Sequence, residues 1–552
     1  MSRPARTRFL PAGESALVIE LGNAIDPDLN ARVLALDRAL LETPFAGYLE
    51  AIPSYRSLLV FFDPGAVSYE SIEAHVRRLH RKSEKTEAPL ARLVEVPVVY
   101  DGEDLESVAR LLGATPAEVV RLHSDREYLV YMVGFTPGFA YMGAAHEKFS
   151  IPRRATPRTR VPAGSVGIAM QQTGIYPSAT PGGWHLLGRA EHRNLFDLTR
   201  DPPSRFLPGD RVRFLPAASL PDFSPNAGPA TRSSSPPAIE VEDGGLLTTI
   251  QDLGRSGYQR YGVPTAGAMD GPALAAANRL LGNEPNAAGL ECTVQGPSLR
   301  ALRTVIASVT GADLGAVVDR IDLGTWRVAP WTSFLLRPGN RLRFEGRHSG
   351  ARAYVAFSGG IDVPEVLGSR STYLTAGFGG LEGRALRIGD RFGLLPAARP
   401  AAAGRRWSRV GESDLSGETR IRVVLGPQEA YFTEKGIAAF SSSVYTVAAS
   451  SDRMGYRLEG PGLEQAPSGD FVSDGNMLGG IQVPGNGLPI VMLRDRGTMG
   501  GYPKIGAVAS VDLPRLVQLL PGDRLRFEIV SRDQARDLLL EARNLDPKAL
   551  PA

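Results

Sequence analysis

The sequence predicts a mainly β chain opened by a small α+β domain, with the β part arranged as tandem closed barrels. Three observations predict this. Gly (61) and Pro (43) are abundant in 552 residues that are still 43% hydrophobic, which is a turn-rich composition and not a disordered one. Helical periodicity opens the chain and then largely gives way to short strands broken by Pro and Gly. Most informative is a recurring turn-and-strand motif: Leu207-Pro208-Gly209-Asp210-Arg211-Val212-Arg213-Phe214 returns as Arg337-Pro338-Gly339-Asn340-Arg341-Leu342-Arg343-Phe344 and as Leu520-Pro521-Gly522-Asp523-Arg524-Leu525-Arg526-Phe527. Pro sets φ for the turn, Gly takes the positive φ that follows, and the alternation after it makes a half-buried strand. The copies lie too far apart for a solenoid, so they read as separate barrels, which expose no strand edge.

Taken in order, Ala16 to Leu21 reads as a strand, and Asp28 to Glu42 sets Leu29, Val33, Leu36 and Leu40 on one helical stripe. Ser57 to Phe62 is a second strand; Ile72, Val76 and Leu79 mark a second helix before the charged stretch Arg81 to Glu87. The first domain is therefore 1–88. A β unit follows over 89–218, with helices at Leu105 to Leu112 and after the N-cap Thr115. Residues 219–237 are rich in Pro, Ser, Ala and Gly without apolar periodicity and form a linker. The soft segment Pro400 to Thr419 divides the rest into barrel halves 238–400 and 401–552. Gly359-Gly360-Ile361-Asp362-Val363-Pro364 and Gly479-Gly480-Ile481-Gln482-Val483-Pro484 support duplication between them.

Charge and cysteine content narrow the function. Lys and Arg (62) nearly balance Asp and Glu (59), which disfavours a nucleic-acid binder. Only six of those cations are lysines, so the chain is rich in forked guanidinium donors suited to small anions. The lone Cys292 excludes a disulfide framework and a cysteine metal cluster, and fits a reducing compartment. No apolar run approaches the ~18 residues of a membrane helix, so no membrane contact is expected and the expected location is the cytoplasm.

Candidate chemistry lies in Gly-rich segments. Gly134-Phe135-Thr136-Pro137-Gly138-Phe139-Ala140-Tyr141-Met142-Gly143 reads either as a close approach to a ligand with aromatic walls or as a tight corner packed with core aromatics. Pro152 to Gly164 carries Arg153, Arg154, Arg158 and Arg160 on a proline-stiffened segment, fit for a carboxylate or phosphate, or for solvent. Gly174-Ile175-Tyr176-Pro177 and Pro181-Gly182-Gly183-Trp184-His185 follow; glycine amides can cradle an oxyanion and Trp184 offers a stacking face. His185 and His123 are the histidines in reach, each equally read as structural. In the last part, Gln251 to Tyr258 is a Gly-punctuated loop, Asp270 an N-cap discounted as a catalyst, and Ser451 to Arg457 and Ser473-Asp474-Gly475 turns with charge. Arg494 to Lys504 repeats the diglycine-aromatic theme as Gly500-Gly501-Tyr502. No phosphate-loop, His-Glu-x-x-His or dinucleotide motif occurs.

At Gly134 to Gly143, the Pro152 to Gly164 segment, Gly174 to Pro177 and Pro181 to Trp184, the chain resembles the B component of 5-oxoprolinase, the allophanate hydrolase subunit 1 or KipI family. From Leu247-Thr248-Thr249-Ile250-Gln251-Asp252-Leu253-Gly254-Arg255 through Asp270, then Ser451 to Gly460, Ile481 to Pro484 and Gly500 to Tyr502, it is similar to the C component of 5-oxoprolinase, the allophanate hydrolase subunit 2 or KipA family. The resemblance implies an α/β domain followed by cyclophilin-like β-barrels in a natural fusion of the B and C components. It also implies a separate partner, the A component of 5-oxoprolinase, and ATP-driven opening of 5-oxo-L-proline to L-glutamate. Phosphorylating the lactam oxygen would create a leaving group and an electrophilic carbon for water.

On that chemistry Arg153, Arg158 and the Gly182 and Gly183 amides hold phosphate or carboxylate, beside Gln172, Tyr176 and Trp184. Arg255, Arg453, Arg457, Gln482, Gly500, Gly501 and Tyr502 extend the binding set. Asp252, Asp474, Asp495 and Lys504 are the candidates for metal, proton or charge roles, and His123 is a further catalytic candidate. ATP with Mg²⁺ is the expected cofactor, no metal ligand is assigned, and a homo-oligomer is left open. The same family forms the carboxyltransferase region of urea carboxylase, but no biotin-attachment Ala-Met-Lys-Met stretch is present. KipI and KipA relatives regulate a histidine kinase, a switch harder to operate with both halves in one chain. Three departures from the family pattern stand out: Ala169-Met170-Gln171-Gln172 where glycines are usual, His185 in place of Gln, and Arg496-Gly497-Thr498-Met499 in place of Arg-Gln-Thr-Thr.

Overall fold

The computed structural model describes residues 7–83, 91–220, 234–407, 417–467 and 471–544. The expected boundary at 88, most of the 219–237 linker and residues 408–416 of the 400–419 soft segment lie outside them. The chain opens with a four-stranded antiparallel sheet in the order Arg8–Pro11, Ala16–Glu20, Ser57–Phe62, Tyr48–Pro53. Helices Pro27–Glu42 and Tyr69–Ser83 pack together in this domain. Asp26 accepts the Leu29 amide and Pro27 follows it, so the first helix starts one residue before the periodic stripe. Val33, Leu36 and Leu40 are fully buried, as their spacing requires.

Two seven-stranded barrels close. In the first, Leu93–Val99 pairs in parallel with Arg211–Pro216; in the second, Glu418–Leu425 pairs in parallel with Arg524–Ile529. In both, the strand after the recurring turn seals the cylinder against the unit's first strand. The capping box of Thr115 and Glu118 starts the Pro116–Ser124 helix of the first barrel.

The middle unit does not close, which corrects the reading of 238–400 as a barrel half. It is a seven-stranded and a five-stranded sheet around a common core of Ile250, Leu290, Val355 and Phe392. Its first strand, Pro237–Asp243, is occupied on both edges by antiparallel Ser298–Ala301 and Arg391–Leu394, so the strand Arg341–Phe344 has no edge there to seal. Arg391–Leu394 itself follows a fourth copy of the turn, Arg387-Ile388-Gly389-Asp390, in which Ile stands for Pro. All four turns share one geometry. The Asp or Asn side chain accepts the amide three residues back, and glycine sits at φ 97°, 83°, 87° and 92° at 209, 339, 389 and 522.

Candidate active site between the first and last barrels

Strand Lys504–Val508 of the last barrel is buried along its whole length, and Lys504 has no exposed surface. Its Nζ has no hydrogen-bond partner among the described residues and lies 5.4 Å from the centroid of the Phe471 ring. Burial lowers the proton affinity of this amine, the Asp474 charge opposes that shift, and Arg56 adds to it. Asp474 is firmly held. Ser57 Oγ donates to it at 2.6 Å, Ser54 Oγ at 3.3 Å, Gln428 Nε2 at 3.1 Å and the Gly475 amide at 2.8 Å. Gln428 Oε1 in turn accepts the Lys504 amide at 3.1 Å. The two serines come from the N-terminal domain, so that domain fixes a carboxylate of the last barrel.

The first barrel supplies the other wall. Phe139 packs edge-on against Tyr141, Tyr176 and Trp184 with centroids 4.9, 5.2 and 5.6 Å away. Tyr55 Oη donates to Gln172 Oε1 at 2.6 Å. Arg153 is exposed, and its side chain makes no hydrogen bond or ion pair to a described residue. A Cβ placed on Gly183 would lie 4.0 Å from the Arg153 Cβ, and one on Gly501 would lie 3.7 Å from Arg153 Nη1 and 3.4 Å from Ser473 Oγ. The two diglycine loops thus both approach Arg153, the Gly182-Gly183 loop at its Cβ and the Gly500-Gly501 loop at its guanidinium. A Cβ on Gly500 would lie 2.0 Å from Gln482 Nε2, so a side chain there would have to displace the Gln482 amide. Gly182 lies against the Tyr176 hydroxyl, and Tyr502 stands 45% exposed at the rim. Burial pushes the Tyr176 phenol up to about 12, although Arg153 and Arg158 counter it.

Other expected residues are located elsewhere. Arg158 is not a free anion receptor: it forks onto Asp104 at 2.9 and 2.8 Å and contacts Glu103 at 2.7 Å, and Arg154 joins the same carboxylate at 3.0 Å. His123 sits inside the first barrel, stacked on Phe214, with Tyr100 Oη at 2.7 Å and Thr173 Oγ1 at 2.9 Å on its two nitrogens. Burial drops its pKa to about 3, so it is a neutral core residue far from protonation at neutral pH. Asp252 ties its loop together by accepting from Ser369, Ser371 and the amides of Arg370 and Gly254. Arg255, pulled down to about 10 by burial, lies over Phe378 and donates to Ser371 O.

Asp495 and Arg453 belong to a buried network. Arg453 forks onto Asp495 at 3.0 and 3.1 Å and also reaches Glu291, which joins the middle unit to the last barrel. Arg457 faces solvent, and Asp270 caps its helix through the Ala273 amide. His185 Nε2 lies 3.1 Å from Pro152 O.

Sequence reasoning missed Ser54, Ser57, Gln428 and Phe471. The Ser57 contact with Asp474 spans 417 positions, and nothing local to Pro53-Ser54-Tyr55-Arg56-Ser57 marks it as more than a turn. Chemically, the junction combines a buried amine, a fixed carboxylate and an exposed cation. It can bind an anion at Arg153 and move a proton at Lys504 Nζ. Among the described residues no three His, Cys, Asp or Glu side chains stand together as a metal ligand set, and no helix is long and apolar enough to cross a membrane.

Comparison with known proteins agrees with this two-part architecture. Residues 7–206 match the family described as carboxyltransferase domain, subdomain C and D, and residues 261–529 match carboxyltransferase domain, subdomain A and B. The chain is similar to the C component of 5-oxoprolinase from Escherichia coli, with 37% identity over 298 residues, 54% of this chain and 93% of that protein. It is similar to the B component of 5-oxoprolinase from Bacillus subtilis, with 42% identity over 217 residues, 37% of this chain and 90% of that protein. Urea amidolyase of Lachancea kluyveri is 32% identical over 329 residues, 55% of this chain and 17% of that protein. Among solved structures, that of TTHA0988 superposes with a TM-score of 0.81 at 37% identity, covering 93% of this chain and 99% of that one.

Proposed function

Because this chain belongs to the carboxyltransferase-domain family and joins a B-like to a C-like part, we propose that it supplies both the B and the C component of an ATP-dependent 5-oxoprolinase. With a separate A component it opens 5-oxo-L-proline to L-glutamate. The observation that carries this reading is Lys504: a lysine without exposed surface and, among the described residues, without a hydrogen-bond partner, within reach of the Asp474 charge where the two parts meet. An unsatisfied buried ammonium is costly, and such groups are retained where chemistry needs them.

Arg153 holds the anionic end of the substrate between the two diglycine loops, and Lys504 Nζ delivers the proton that the ring nitrogen needs as its C–N bond breaks. Asp474 steadies that charge from a position locked by Ser54, Ser57 and Gln428. ATP would activate the lactam oxygen; the residues of this chain act on the substrate itself, and no step is routed through the nucleotide or its metal. Purified chain mixed with the A component should release ADP and glutamate only when 5-oxoproline is present, and the chain alone should release neither. Glutamate formation without the A component would refute the division of labour.

The similarity to urea amidolyase supports a second reading, transfer of a carboxyl group from biotin on another chain. Binding of free biotin to the purified chain would favour it over lactam opening.

A further inference from the structure

A cavity of 460 Å³ lies where the N-terminal domain, the middle unit and the end of the chain meet, away from the Arg153 and Lys504 junction. Leu49, Phe62, Met269, Leu493, Leu513 and Leu539 form the apolar part of its wall, and Ser15, Asp63 and Ser510 add polar groups. That volume falls within the ordinary range for small-molecule sites, which pair apolar walls with a few placed polar groups. Two guanidiniums line the cavity. Arg543 is paired with Asp63 at 2.5 Å, but the Arg494 side chain makes no hydrogen bond or ion pair to a described residue, and its Nε is buried. Arg494 Nη2 lies 3.5 Å from where a Cβ on Gly271 would sit, at the first residue of the ten-residue helix Gly271–Leu280.

The nearby carboxylates are already engaged by other groups. The neighbouring carboxylates Glu291 and Asp495 both bind Arg453, and Asp270 engages the Ala273 amide and Gln518. Burial lowers the proton affinity of Arg494 and the Arg453 charge adds to that, while Tyr354, Glu291 and Asp495 oppose it. An anionic head group would satisfy this fork bidentately while an apolar body filled the walls. We propose that this cavity is a binding site for an amphipathic carboxylate, a small molecule with one anionic head and a hydrocarbon body, with Arg494 as its anchor.

The test is thermal unfolding of the full chain with octanoate, with inorganic phosphate and with octyl glucoside. A ligand at about a hundred times its Kd should raise the midpoint by several degrees. Octanoate should do so, while phosphate, which lacks the body, and octyl glucoside, which lacks the charge, should leave it unchanged. Arg494→Gln, which removes the charge, and Leu539→Trp, which fills the space, should each abolish the octanoate shift; the second variant decides the matter if the first does not fold. No shift with octanoate, an equal shift with phosphate or octyl glucoside, or an unchanged shift in a folded variant would overturn the proposal.

Discussion

Lys504 shows how a single residue trades stability for chemistry. Its proton affinity is depressed in the folded chain, so between the folded and unfolded pKa values the unfolded state binds more protons and stability rises with pH. Below the folded pKa the residue is a net burden. Lys504→Met, nearly isosteric and apolar, should therefore raise the melting temperature by a few degrees, and by more at pH 7 than at pH 10. A shift of the same size at both pH values would show that the buried charge of this amine carries no penalty. This residue was legible in the sequence as one of six lysines beside a diglycine loop. Its burial was not, because Phe471 and the serines that hold Asp474 come from distant parts of the chain. Arg158 shows the opposite case: a rigid arginine segment looked like an anion receptor, yet Asp104, 54 positions away, already occupies that fork.

At the scale of elements, the hairpin between Ser165–Ala169 and Gln172–Ile175 turns through Met170 and Gln171, with φ 49° and 65°. Two consecutive positive φ values in a two-residue loop mark the turn type that prefers Asn-Gly or Gly-Gly. This departure from the family's glycines was visible in the sequence, and its structural consequence is backbone strain. Met170 is 42% exposed, so Met170→Gly should gain about 0.5–1 kcal/mol in urea denaturation. A loss of stability would place that strain elsewhere. The recurring turn was legible three times from its Pro-Gly pair; the fourth copy escaped because Ile388 replaces Pro while the Asp390 side chain keeps the same hydrogen bond. Closure of the middle unit could not be read from the turns, since it depends on which edge of Pro237–Asp243 remains free.

For the molecule as a whole, contacts across the two family segments make one body of the B-like and C-like parts. Asp37 pairs with Arg260 at 2.6 Å and Glu50 accepts from Gln259 at 2.7 Å, both joining the B-like to the C-like part, and within the latter Gln259 accepts from Arg496 at 2.5 Å. Together with the Ser57 contact to Asp474 they place the candidate site on the seam. A chain cut at a protease site inserted between residues 221 and 233 should therefore stay associated on gel filtration in 1 M salt, where the Debye length is only about 3 Å, because these contacts are shielded from screening. Adding Arg260→Met, which leaves Asp37 buried without its partner, should cost about 3–5 kcal/mol and separate the halves. Halves that part in salt without that substitution would mean that the seam is a surface contact.

Whether the junction amine does the chemistry is tested most directly by one comparison. Glutamate formation from 5-oxoproline and ATP is measured with the A component and either the unmodified chain or Lys504→Met, both shown to be folded. A missing proton donor should lower kcat by about 10²–10⁴-fold with little change in KM. A Lys504→Met chain that keeps kcat within about threefold would contradict a proton-donating role for Lys504, since that is far below what a lost general acid costs.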